Sequence, residues 1–129
     1  MGSVLTNISH ASTRGVLMLL ALLLGSLPAA AHSELRRSVP AAGAVLMQAP
    51  EQLELYFNER VQLTALRLYR DGSEEISLPR RAIRTATTEI IALPPLPPGA
   101  YRAEWRIISA DGHPAGGTVP FRIEAPNRP

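Results

Sequence analysis

The chain has 129 residues, with 13 basic and 11 acidic side chains, no cysteine and a single tryptophan. The absence of cysteine excludes a disulfide frame, a lipid-anchored cysteine, a thiolate metal site and a type-1 copper centre. Every Lys/Arg position is an arginine, and only Arg80, Arg81 and Arg84 cluster, with no aromatic residues between them, so nucleic-acid binding is poorly supported and the cluster reads as a solvated loop.

The first element is a leader. Arg14 precedes nine uninterrupted apolar residues, Val16–Leu24, no acid lies upstream, and Ala29-Ala30-Ala31 is a small-residue cleavage site. This pattern predicts a secretory signal peptide over residues 1–31, cleaved after Ala31. The apolar run is too short to cross a hydrocarbon core, which needs about 20 residues. No second apolar span follows, so the mature part, residues 32–129, is expected to be one small periplasmic domain outside the membrane. Its arginines and acids nearly balance. Cleavage would give His32 a free α-amine, which with the imidazole could close a six-membered chelate ring on one metal ion. The other reading of His32 is a residue that simply follows the cleavage site.

Beyond Pro40, the stretch Gly43–Ala49 reads as a brief turn. Leu53, Leu55 and Phe57 alternate with Glu54, Tyr56 and Asn58, the period-2 pattern of a strand with one buried face. Leu66 and Leu68 mark a further strand that ends at the Asp71-Gly72 turn, and Ile90–Leu93 is another. In Tyr101–Ser109 the odd positions Tyr101, Ala103, Trp105 and Ile107 are apolar, while Arg102, Glu104 and Arg106 face the other way. Val119, Phe121 and Ile123 form the last strand, where Pro120 points outward and suggests an edge. Short strands separated by proline- and glycine-rich turns predict an all-β fold, a two-sheet antiparallel sandwich or small Greek-key barrel.

Between the last two strands lies Ser109-Ala110-Asp111-Gly112-His113-Pro114. Gly112 allows a sharp bend that would aim Asp111 and His113 at one point, and Pro114 restricts the backbone of His113. The plain alternative is a solvent-exposed turn, because Asp-Gly is an ordinary turn dipeptide. The mature chain has two histidines, one at its start and one in this loop. If the first strand runs beside the last ones, they meet as one amine, two imidazoles and one carboxylate. A near-square set of three nitrogens and an oxygen favours Cu(II), while zinc's tetrahedral preference fits less well. The amine must lose its proton to bind, so acid should weaken the site.

Several stretches together resemble the CopC copper-resistance family: His32-Ser-Glu-Leu-Arg-Arg-Ser-Val-Pro40-Ala-Ala-Gly43, Ala49-Pro50, Leu53-Glu-Leu-Tyr-Phe57-Asn-Glu59 and Tyr101-Arg-Ala-Glu-Trp105-Arg-Ile-Ile-Ser109-Ala-Asp111-Gly-His113-Pro. The resemblance covers essentially the whole mature chain. It implies a periplasmic immunoglobulin-like β-sandwich that binds Cu(II) in copper tolerance or delivery. The implied ligands are the α-amine and imidazole of His32, Asp111 and His113. Glu59 matches a glutamate that lies close to the metal in some members; it is a weak-ligand candidate or a solvated acid at a strand end. An inner-membrane CopD-like copper protein is implied as a partner. Some members carry a second, methionine-rich Cu(I) site. Here Met47 is the single mature methionine, so one Cu(II) ion and no Cu(I) site are expected.

Two other functions fit parts of the chain. A copper-dependent oxidative enzyme of the histidine-brace type would use an N-terminal histidine and a second one. Such enzymes are larger, and Asp111 would fill the position where oxygen needs an opening. A metal-free immunoglobulin-like assembly module would explain strands and export but leave both histidines to coincidence. The expectation is therefore a binding protein and not an enzyme.

Overall fold

A computed structural model describes Gly2 and residues 33–126; the rest of the expected leader, His32 and residues 127–129 lie outside the described residues. Seven strands follow in order: β1 (Leu35–Val39), β2 (Ala44–Leu46), β3 (Gln52–Arg70), β4 (Glu74–Ile76), β5 (Thr85–Ala92), β6 (Gly99–Ser109) and β7 (Pro114–Ile123). The described residues contain no helix. The expected turn over Gly43–Ala49 contains the short strand β2, and the two predicted strands at Leu53 and Leu66 are parts of one strand, β3.

Strand β3 organises the fold. Its first half pairs with β1 (Val39↔Glu54) on one side and β5 (Gln52↔Ala92) on the other. Its second half pairs with β6, from Val61↔Ser109 to Arg70↔Tyr101, and its end pairs with β4. One 19-residue strand thus belongs to both layers, and the sheet curls around it in the order β1-β3-β6-β7-β2. Every pairing is antiparallel except β2 with β7, which is parallel and departs from the all-antiparallel expectation. The crossing through Pro40–Gly43 carries the chain to the outer side of β7, where Gly43 donates to the Pro120 carbonyl at 2.7 Å.

A register shift between Leu63 and Ala65 explains why β3 reads as two strands. Before it, the buried residues are odd-numbered: Leu53, Leu55, Phe57, Val61 and Leu63. After it Leu68 is buried and Leu66 packs against the core, so the parity has changed. An inserted residue flips every later side chain to the other face, which a period-2 reading cannot bridge.

The core forms where β3, β6 and β7 turn their apolar faces inward. Phe57 meets Trp105 edge to face at 5.5 Å, and Tyr101 stacks on Phe121 at 5.2 Å; such pairs add about 0.5–1.5 kcal/mol beyond burial. The Tyr101 hydroxyl donates to the carbonyl of Pro97, the local bond known as a tyrosine corner in immunoglobulin-type sandwiches. Trp105 lies opposite Gly117, and a Cβ there would stand 2.6 Å from the indole Cζ2. Only glycine leaves room for the ring.

Candidate metal centre

Strand β6 delivers the site. Its core-facing positions Tyr101, Ala103, Trp105 and Ile107 are apolar, but the next one, Ser109, carries a hydroxyl and is still only 7% exposed. The chain then turns. Ser109 N–H donates to the His113 carbonyl at 2.9 Å, and Gly112 N–H donates to the Ser109 carbonyl at 2.9 Å. Gly112 has φ +86°, in the left-handed region that glycine enters without penalty. The anticipated bend is present.

Within this turn Asp111 and His113 face each other, with Asp111 Oδ2 2.8 Å from His113 Nδ1. The other carboxylate oxygen, Oδ1, accepts the Ser109 hydroxyl. The same hydroxyl oxygen accepts His113 N–H at 3.0 Å. These bonds, the Ser109 hydroxyl first and the imidazole second, hold the Asp111 carboxyl down to about 2. Both side chains project into solvent, at 66% and 81% exposed, so the pair is accessible to an incoming ion. The Ser109 hydroxyl faces the carboxylate and not the imidazole ring.

The second component is the start of the described chain. Asn58 and Glu34 clasp each other: Glu34 N–H donates to Asn58 Oδ1 at 2.8 Å, and Asn58 N–H donates to the Glu34 carbonyl at 3.0 Å. One residue further on, the Ser33 hydroxyl donates to Glu59 Oε1. The N-terminal arm is therefore tied to Asn58 and Glu59 of β3, while the Asp111–His113 turn is tied to Val61 through its pairing with Ser109. Asn58 and Val61 are three residues apart, about 10 Å along a strand. Arm and turn converge on one short stretch of β3.

Of the sequence-predicted residues, Asp111 and His113 are brought together. Glu59 is half-buried and engaged by Ser33. His32 lies outside the described residues, one position before Ser33. Among the described residues no group of three or more His, Cys, Asp and Glu side chains is arranged to hold a metal. Sequence reasoning missed the parts played by Ser109, Ser33 and Asn58. For Ser109 a signal was present, since a polar residue closes an otherwise apolar run of core positions.

The sequence model of the CopC domain matches residues 35–124. Copper resistance protein C of Escherichia coli is 35% identical over 107 residues, covering 74% of this chain and 84% of its own length. Copper transport protein CutJ of Bacillus subtilis (strain 168) is 34% identical over 98 residues, which are 72% of this chain but only 18% of CutJ. Among solved structures, PcoC, a methionine-rich copper resistance protein from Escherichia coli, superposes with a TM-score of 0.57 at 32% identity, covering 73% of this chain and all of that one.

Proposed function

The chain belongs to the CopC domain family, and from that membership and the turn at Asp111–His113 we propose that its mature part binds one Cu(II) ion as a periplasmic buffer or carrier. The ligands in this reading are the α-amine and imidazole of His32, the Asp111 carboxylate and the His113 imidazole, with Glu59 beside them. In this reading the protein binds and carries copper without catalysing a reaction, in keeping with relatives named for copper resistance and copper transport.

The observation that carries the proposal is the convergence of arm and turn on Asn58–Val61. It brings the residue that follows His32 to the same stretch of β3 as the Asp111–His113 turn. The pair itself suits a square site. Metal bonds of about 2.0 Å to nitrogen and oxygen separate neighbouring corners of a square by about 2.8 Å and those of a tetrahedron by about 3.3 Å. Asp111 Oδ2 and His113 Nδ1 are already 2.8 Å apart. The α-amine must lose its proton to bind, which makes uptake sensitive to acid.

Met47 is the one methionine among the described residues and stands half exposed just after β2. One thioether supports no methionine-rich Cu(I) site, whereas PcoC is a methionine-rich protein. An inner-membrane copper protein of the CopD type is the proposed exchange partner. Cu(II) titration of protein beginning at His32 tests the reading. One equivalent bound, with binding weakened more than tenfold in His113→Ala, is expected. Stoichiometry well below one, or a His113→Ala variant that binds like the parent, would contradict it.

A further inference from the structure

Ser109 is the one buried serine on the core face of β6, at a position where the alternation calls for an apolar side chain. Burying a hydroxyl is unfavourable unless it is hydrogen-bonded. Here it is bonded twice, and both partners belong to the metal turn: it donates to Asp111 Oδ1 and accepts from His113 N–H. Its backbone adds two more bonds, one to the His113 carbonyl and one from Gly112 N–H. No other described residue bonds to both members of the Asp111–His113 pair.

The root of this arrangement is rigid. Ser109 pairs with Val61, which is fully buried, and the neighbouring Ile107 is 1% exposed. The turn that Ser109 grips is open to solvent and has no core contacts of its own. A hydroxyl on a fixed strand end is thus the link through which the core sets the positions of two exposed side chains.

We infer that Ser109 is a positioning residue: it pre-forms the Asp111–His113 pair before any ion arrives, so that copper binds without first ordering the turn. The copper part of this inference rests on the function proposed above; the pre-forming part concerns the metal-free protein alone. An outer partner that orients metal ligands typically contributes 10- to 100-fold in affinity, because ordering a flexible turn would otherwise cost free energy at each binding event.

The test uses protein beginning at His32, with Ser109→Ala and Ser109→Thr variants. Alanine fits the buried strand position and removes only the hydroxyl; threonine restores it. Backbone 15N relaxation on metal-free protein reads the turn. Order parameters at Asp111–His113 near about 0.85 are expected in the parent and Ser109→Thr, falling below about 0.6 in Ser109→Ala, with β6 and β7 unchanged. Competition titration with Cu(II) should show roughly 10-fold or greater loss in Ser109→Ala and recovery in Ser109→Thr. The electron paramagnetic spectrum of the alanine variant should broaden into more than one species. An ordered turn in Ser109→Ala would overturn the inference, as would a disordered turn with parental affinity. If the parent itself binds no Cu(II), the proposed function fails, and the relaxation data alone decide the role of Ser109.

Discussion

Replacing Asn58 by alanine removes the acceptor that holds the backbone of Glu34. That bond is 2.8 Å long and lies at the surface, where a net contribution of about 0.5–1.5 kcal/mol is typical. The core does not depend on it, since Asn58 is exposed and its neighbours Phe57 and Val61 are buried independently. What it stabilises is the docked arm. If His32 reaches the metal only while the arm is docked, the lost free energy must reappear in the binding constant. At about 1.4 kcal/mol per decade, Asn58→Ala should weaken Cu(II) binding by roughly 2- to 12-fold. The assay is a competition titration against a chelator of known affinity, paired with relaxation data on Ser33 and Glu34. An arm that loosens while affinity stays at the parental value would refute the reasoning, because the arm would then not be part of the site.

Two further outcomes follow from the geometry. In Gly117→Ala the new methyl would lie 2.6 Å from Cζ2 and 2.9 Å from Cε2 of Trp105, well inside the normal 3.5–4.0 Å contact. The indole is held by Phe57, so overpacking should cost about 1–3 kcal/mol, read as a lowered urea midpoint by the fluorescence of this single tryptophan; an unchanged midpoint would show that the ring is free to move. The Asp111 carboxyl should titrate at about 2 in metal-free protein, below its ordinary 3.8. Its contribution to stability is complete above the ordinary value and is lost as pH falls through about 2. Carbon NMR of the carboxyl checks this, and a midpoint at the ordinary value would show that Ser109 and His113 do not hold it.

Much of the fold was legible because burial imposes a period of two. The inward set Tyr101, Ala103, Trp105 and Ile107 and the set Val119, Phe121 and Ile123 are buried as the alternation requires. The pattern failed where the backbone changes phase. Thr64 sits at the register shift of β3, so Leu63 and Leu66 both turn toward the core although they stand three positions apart, where strict alternation would oppose them. Strand β2 escaped notice because its three residues are only partly buried and the strand is defined by pairing with β7, a long-range fact. Glu89 was equally silent: it is 4% exposed on the inner face of β5, and only the fold brings Arg84 to within 3.5 Å of it.

The site divides in the same manner. Asp111, Gly112 and His113 lie within three residues, so spacing alone could suggest their meeting, and the left-handed Gly112 delivers it. The clasp between Glu34 and Asn58 and the bond from Ser33 to Glu59 join residues more than twenty positions apart. No local pattern encodes such contacts; they arise from the pairing of β1 with β3. Tertiary structure thus contributes the reason why the N-terminal arm and the Asp111–His113 turn approach the same stretch of β3.

The most direct test adds a single glycine ahead of His32 and compares its Cu(II) spectrum and affinity with those of protein that begins at His32. The added residue converts the terminal amine into an amide while leaving every strand, Asp111 and His113 in place. The account predicts a changed set of nitrogen couplings and at least a tenfold loss of affinity in the extended protein. Identical spectra and equal affinity would contradict it, since the chain start would then contribute nothing to the copper site.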